Sequence, residues 1–498
     1  MNELYINLGF NENPFSRYSA EEELDYLDKI YNTPKYYTSI YSDIKRGLSR
    51  FVIGERGIGK SALMFKLMND LGNYRTFAVI IDQFDGIPLI DNGKELIVLV
   101  IKRLITVFSI TLLKNKEIIN VLTKEDKEKL AFFINTFFES LSKTEFDELY
   151  NKATQLKTKN LFKRIFNAIF LKPINIGISG VSEYISTTIS KSLGLNHEIS
   201  EDFYKAYVPE MKLSKRGDKL DVMTLDYANI KGLLNELVGI ITKCNFQNVV
   251  LFFDKIDEYQ SLGTNINNIA EFIKVLATDT SLLHMQNCSF VFVVWSKVKN
   301  KLNSLGVRFD KFKPVDVTWT DKELKAIIDD RLKYFSNQKV DLKRLLPDIS
   351  CLDKLINLAY KSPRHLIMLL SRIYDEQEMI NSDVTSFSIE AVEKGILTFS
   401  KSFDFPTLYP GVASRKDYIV KVVNRLLRIG KLEFETKDII SVFKISSGSS
   451  NNDIKTMRGY GLIEEIATHG SPSKKYMVVE PRIKFLIEKN ILSLDLPE

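Results

Sequence analysis

The thirteen residues from Phe51 to Leu63, FVIGERGIGKSAL, constrain this chain more than any other stretch. Phe51, Val52 and Ile53 are apolar and read as the end of a buried parallel strand. Four residues separate Gly54 from Gly59-Lys60-Ser61, which is the G-x-x-x-x-G-K-[ST] spacing of a phosphate-cradling loop, the P-loop. Gly54, Gly57 and Gly59 remove the Cβ atoms that would stop the backbone folding round an anion. The N–H groups of a loop that also contains Glu55, Arg56 and Ile58 then point inward. The helix that begins about Ala62 adds its positive end. Lys60 supplies a mobile cation for β- and γ-phosphates, and Ser61 a hydroxyl for Mg²⁺. The bland alternative is a glycine-rich turn before an ordinary helix. A strand before the motif and an amphipathic helix after it, Ala62 to Met68, favour the cradle.

At 498 residues the chain has room for two to four domains. Its 45% hydrophobic and 27% charged residues are those of an ordinary globular protein, and a net charge of +6 allows a local basic patch without indicating nucleic acid. Cys244, Cys288 and Cys351 are odd in number and widely spaced, which suits buried thiols in a reducing, cytoplasmic setting. No C-x-x-C pair occurs and the histidines are scattered, so no structural metal site is expected. The N-terminal residues lack the basic-then-apolar pattern of a signal peptide. The most apolar window, Glu95 to Leu113, is interrupted by Lys102 and Arg103 and reads as a buried helix too short to span a bilayer, so no membrane partner is expected.

The order of elements predicts an α/β fold, a P-loop parallel sheet core with a helical insertion, a helical lid and a C-terminal winged helix. A leader occupies residues 1–50. The core runs over 51–319, with strands at Thr76 to Ile81, Val249 to Phe253 and Ser289 to Val294. About 200 residues separate the first motif from the strand at 249, roughly twice what a compact core needs. The excess is a helical insertion at about 92–225, which includes helical patterns at Lys124 to Leu141 and Leu161 to Phe170. Within it, Ile174 to Gly194 gives no clear signal. Thr123-Lys124-Glu125-Asp126 mimics a guanine-reading motif but opens a helix instead of closing a strand. Residues 320–405 read as a lid of helices at 321–335, 352–360, 364–379 and 388–400. Residues 411–498 read as a winged helix-turn-helix. Its helices are Arg415 to Arg428, Thr436 to Phe443 and Asn451 to Arg458, and its hairpin turns at His469 to Pro472.

Chemistry follows from position. Asp254 ends an apolar strand and fits a second Mg²⁺ partner beside Ser61. A further carboxylate should polarise water. The adjacent slot holds Lys255, so Asp257 and Glu258 are the candidates. Ser296 ends the next strand, within reach of water or the γ-phosphate. In Ser362-Pro363-Arg364, Arg364 puts a cation at a helix N-terminus, where the macrodipole disfavours it by roughly 0.3–1 kcal/mol. That mismatch suggests an anionic partner reached across the lid. Arg308 is a candidate for acting in trans on a neighbour's nucleotide, with a surface arginine as the plainer reading. Arg331 reads as structural. Asn451, Asn452, Lys455, Thr456 and Arg458 would face a DNA groove if the third C-terminal helix reads bases, with Lys474 and Lys475 meeting phosphate. The charge of about +4 over 411–498 is weak for a dedicated DNA reader, which leaves interdomain packing as the alternative.

GERGIGKS, FFDKIDE, SPRHL and the terminal winged-helix pattern together resemble AAA+/STAND-class ATPases, in outline over residues 10–405. The hhhhD-x-x-DE form is similar to the extended Walker B of NACHT-type proteins and to ORC-like bacterial ATPases. The resemblance implies ATP and Mg²⁺ as cofactors and an ATP-controlled switch able to form a homo-oligomer, with a role in phage defence. It carries phosphate binding to Lys60, Mg²⁺ to Ser61 and Asp254, water activation to Asp257 or Glu258, and γ-phosphate sensing to Arg364. Lys255 departs from both patterns, so slow hydrolysis is expected. No effector domain is recognisable, so any effector is expected to be a separate protein. Two alternatives stay open: a DNA-binding ATPase using its winged helix, and a nucleotide-holding scaffold with little turnover.

Overall fold

The computed structural model describes residues 3–138, 189–191, 193–195, 225–263, 265–348, 350–409, 417–466 and 474–495. The readings for Leu161 to Phe170, for most of Ile174 to Gly194 and for the His469 to Pro472 turn lie outside these residues.

Two-residue alternation along the strands decides the architecture. In β1 (Arg50–Gly54), Phe51 and Ile53 enter one apolar core and Val52 enters another. The same division holds in β3 (Asn248–Phe253) and β4 (Cys288–Trp295), where Val249 and Phe292 face one core and Val250 and Val293 the other. Every residue of these strands is buried, which explains why they read as unbroken apolar runs. With β2 (Thr76–Ile81) and β5 (Pro314–Asp316) they form a five-stranded sheet in the order β2-β3-β4-β1-β5, with all pairs parallel. Gly54 lies opposite Trp295 and Ile81 opposite Phe253, so β1, β3 and β4 end along one rim. That rim is where an open parallel sheet holds ligands.

One core contains the insertion helices α3 (Gly93–Lys114) and α4 (Lys124–Phe137) with α5 (Tyr227–Lys243) and α6 (Ile266–Thr278). By length and by a mean hydropathy of 2.3 over its most apolar 18-residue window, α3 is long and apolar enough to cross a membrane, so the expectation that it is too short needs correction. Burial is what makes it a core helix: 72% of that stretch lies inside the molecule. Asp126, from the guanine-like motif, accepts from Thr123 in a capping box that opens α4.

The other core joins the leader with its helix α1 (Tyr37–Lys45), the helix α2 (Lys60–Gly72) and four lid helices. These are α7 (Asp321–Phe335), α8 (Ser350–Ala359), α9 (Pro363–Ile380) and α10 (Ile389–Lys401). A third core belongs to the C-terminal unit: α11 (Asp417–Ile429), β6 (Glu433–Glu435), α12 (Thr436–Phe443), α13 (Ser447–Gly459), β7 (Ile463–Ile466), β8 (Lys475–Val478) and α14 (Pro481–Glu488). Its antiparallel sheet runs β6-β8-β7. The unit leans on the lid through α14. Phe485 enters the lid core, and the buried Arg482 guanidinium, paired with Glu480, lies 3.8 Å from the Phe403 ring centre.

Candidate functional site

The loop between β1 and α2 has the backbone its glycines permit. Gly57 and Gly59 sit at φ +75° and +93°, where a side chain is strained. A Cβ on Gly54 would come within 2.8 Å of Ile58 Cγ2, and one on Gly57 within 2.8 Å of Ser362 Oγ. The loop is braced from outside by Trp319, whose Nε1 donates to Ile58 O at 2.7 Å. Lys60 curls back so that Nζ donates to Gly54 O and Glu55 O, both at 3.0 Å. Burial pushes its ammonium below the ordinary lysine value, against the pull of Asp257 and Asp254.

Asp254 follows β3, and its N–H donates to Ile81 O. Ser61 Oγ donates to Asp254 Oδ2 at 2.8 Å, joining residues 193 positions apart. Asp254 is buried, and burial raises its carboxyl above the usual range despite the Ser61 bond. A buried carboxylate beside a hydroxyl is a donor pair a hard cation would relieve. Among the described residues no group of three or more His, Cys, Asp or Glu is placed to hold a metal by itself. An Mg²⁺ held by Ser61 and Asp254 would need water or a bound anion for the rest of its shell.

After Asp254 the chain turns sharply. Lys255 takes φ +55°, and Ile256–Glu258 form one 3-10 turn. Asp257 comes back over the loop, where Arg56 Nε donates to its Oδ2 at 2.6 Å and Arg56 Nη2 to its carbonyl at 2.7 Å. Glu258 lines the same cavity and is exposed. Desolvation at the cavity wall, then the Asp257 charge, raises its carboxyl even so.

Lid and leader complete a cavity of about 390 Å³. Ser362 caps α9 through His365 N and also donates to Gly57 O at 3.0 Å, so the lid rests on the loop itself. Arg364 lines the cavity with its Nε on Tyr18 O at 3.2 Å. The leader is pinned from the β3 side by Lys255 Nζ on Glu21 Oε1 at 2.8 Å. Burial opposes it, but that lysine still pulls the Glu21 carboxyl below its usual value. Arg331 lines the cavity too, yet is 2% exposed and held by Glu23 Oε1 at 2.5 Å and by the Pro14 and Arg17 carbonyls. Its role there is structural, as read from the sequence.

The structure thus brings Gly54 to Ala62, Asp254, Asp257, Glu258 and Arg364 to one cleft. Two candidates lie outside that cleft. Ser296 Oγ donates to Glu55 Oε1 at 2.5 Å, beside Trp295 Nε1 on Glu55 Oε2 at 2.9 Å, so its hydroxyl serves the loop. Arg308 is at the surface in a two-point pair with Asp310, at 2.9 and 2.7 Å. In the C-terminal unit Asn451, Asn452, Lys455 and Arg458 are exposed on α13, and Thr456 is half-buried. Arg458 and Lys474 both pair with Glu465, at 3.1 and 3.0 Å, and Lys475 pairs with Glu433 at 2.5 Å.

Sequence reasoning did not name the leader residues at the cleft, Tyr18 and Glu23, the anchor at Glu21 or the brace at Trp319. The acidic run at Glu21 to Glu23, set against a lysine in the slot after Asp254, was the available signal.

The sheet order, the glycine loop and the opposed Ser61 and Asp254 define a P-loop α/β fold. No family model matches the chain, and no curated protein does. Among solved structures it is similar to the ORC2 protein of Aeropyrum pernix in ADPNP–ADP complexes, at 10% identity over 97% of each chain with a TM-score of 0.41. It is also similar to the Walker-type ATPase PABY2304 of Pyrococcus abyssi, at 12% identity, 96% of this chain and 100% of that one, TM-score 0.42. A third is Drosophila ORC bound to DNA, at 9% identity, 97% of this chain and 90% of that one, TM-score 0.29. At such distances the cleft geometry, not the likeness, carries the functional reading.

Proposed function

We propose that this cleft binds ATP with Mg²⁺, hydrolyses it slowly, and acts as an AAA+/STAND-type conformational switch. The observation that carries the reading is the Ser61–Asp254 bond beside Lys60, under a lid whose Ser362 touches the loop. Lys60 would leave its two carbonyls for the β- and γ-phosphates, and Ser61 and Asp254 would hold the metal. Arg364, attached to a leader carbonyl, is free to turn its charge toward a γ-phosphate. Glu258 is the base this geometry favours, because Arg56 engages Asp257 and because a raised carboxyl accepts a proton more readily at neutral pH. In this reading the leader (1–50), the core (51–319), the lid (320–405) and a winged helix (411–498) are the working parts. Assembly into a homo-oligomer, or docking of a separate effector in phage defence, is the output.

Equilibrium binding of ATP with and without Mg²⁺ tests the cleft. Wild type should bind, Asp254→Ala should lose the Mg²⁺ dependence, and undiminished affinity in Lys60→Ala would defeat the reading. Glu258→Gln should keep binding and lower phosphate release by about 100-fold, with Asp257→Asn milder. Equal losses in the two variants would remove the preference for Glu258, and no release in wild type would leave the nucleotide-holding scaffold.

A second reading, a DNA-binding ATPase, is supported by the order of the C-terminal elements: helix, strand, two helices, then two strands. Against it stands the pairing of its cations with Glu433 and Glu465. Filter binding over a salt series decides, since phosphate contacts give a steep salt slope.

A further inference from the structure

We propose that Arg56 is a positioning residue that ties the nucleotide cleft to the C-terminal unit, so that the phosphate content of the cleft sets how firmly residues 405–409 are held. The proposal rests on the ATP reading above and adds how the cleft is regulated and what it regulates.

Arg56 belongs to the loop by its backbone and leaves it by its side chain. One guanidinium serves two masters: Nε and Nη2 go to Asp257, while Nη1 donates to Thr407 O at 2.8 Å. The face of the guanidinium lies 4.9 Å from the Trp295 ring centre, which keeps the planar fork in one orientation. Thr407 is in the short helix Phe405–Leu408, and Phe405, Leu408 and Tyr409 are part of the C-terminal unit's own core. The last carbonyls of a helix lack partners within it and favour cations. Here both cations come from the ATPase core. Lys297 Nζ donates to Leu408 O at 3.3 Å and lies 4.4 Å from the Tyr409 ring centre. The two caps differ in one respect that matters. Lys297 follows β4, and the carboxylate that pulls on it is Glu55, whereas Arg56 shares its donors with Asp257, within electrostatic reach of Lys60.

That sharing makes the Arg56 cap responsive. Asp257 and Lys60 feel each other's charge. A γ-phosphate drawing Lys60 toward itself changes the charge facing Asp257, and with it the hold of Asp257 on Arg56. A guanidinium has a fixed set of donors in a rigid plane. A shift toward either partner therefore tilts the whole group and alters the Thr407 bond. Hydrolysis reverses the change. A charge-assisted bond of this kind is strong enough for its loss to be read as faster local opening.

Hydrogen exchange of the Thr407, Leu408 and Tyr409 amides tests this, using the full chain saturated with Mg²⁺ and either ADP or adenosine 5′-(β,γ-imido)triphosphate. In wild type the two nucleotides should give different exchange at these amides. Arg56→Ala should exchange about tenfold faster with both nucleotides, and equally with both. Lys297→Ala should also loosen the segment but keep the difference between nucleotides, which a purely structural role for Arg56 would not predict. If Arg56→Ala fails to fold, Arg56→Lys decides instead, because a single ammonium cannot span both partners. A nucleotide difference that survives in the Arg56 variant overturns the proposal, as does a wild type that binds both nucleotides with no difference. A wild type that binds neither defeats the ATP reading and this coupling with it.

Discussion

Two basic regions among the described residues hold their charge in opposite ways. In the cleft, Lys60 and Arg364 are tethered by backbone carbonyls, those of Gly54, Glu55 and Tyr18. On the C-terminal unit, Arg458, Lys474, Lys475 and Lys437 are paired with the carboxylates of Glu465, Glu433 and Glu435. A carbonyl positions a cation without cancelling it, whereas a carboxylate cancels it. Lys60 and Arg364 therefore remain available to an incoming anion, whereas these C-terminal cations already have a carboxylate each can reach. Counting lysines and arginines along the chain cannot separate these cases.

Substitutions can break that contrast or sharpen it. The largest effect is expected from Lys60→Ala, which should weaken ATP binding by about 100-fold or more, as the loss of a charge-assisted phosphate contact in a partly buried site implies. Alanine at Lys455, Arg458, Lys474 and Lys475 together should change nucleic-acid binding less than about threefold, because each phosphate contact that is absent contributes nothing to the salt slope. A large loss there would erase the distinction between the regions.

Gly57→Ala should come next. It meets both a positive φ and Ser362 Oγ at 2.8 Å, and should cost about 1–3 kcal/mol of stability in thermal or denaturant unfolding. Between the two regions lies His365, next to Arg364. Its ring stacks edge-on against Phe403, and its pKa is lowered to about 3 by burial, with the Arg482 charge adding to it. A histidine kept neutral in the fold binds fewer protons there than when unfolded. Its contribution is therefore complete above the unfolded value near 6.5 and is lost as pH falls toward about 3. His365→Gln should flatten the fall in unfolding midpoint over that window relative to wild type. The smallest effect should come from Glu465→Ala. It frees Arg458 and Lys474 at a stability change well under about 1 kcal/mol. If pairing alone silences that surface, filter binding to DNA should tighten.

Backbone chemistry was legible in advance; side-chain company was not. The strands at 51, 76, 249 and 289, and the loop at Gly54 to Ser61, follow from apolar runs and glycines whose meaning is local. β5 and β6 have three residues each, too few to register as a pattern. The convergence of Ser61 and Asp254 was readable because strand ends share a rim in a parallel sheet. Where Ser296 turns its hydroxyl was not, because Glu55 takes it from 241 residues away. The pairing of Arg308 with Asp310, two residues on, was within reach of the sequence, since opposite charges that close in a loop often meet.

Lys255 holds two parts of the molecule at once. Its positive φ makes the corner that swings Asp257 and Glu258 back from the strand, and its ammonium anchors the leader at Glu21. Glycine, asparagine or aspartate would tolerate that corner, and β-branched residues would not. None of the tolerated three reaches Glu21 with a cation. An acidic residue gained at this position would release the N-terminal flap in the same step, so the charge here trades a chemical group for a hinge pin.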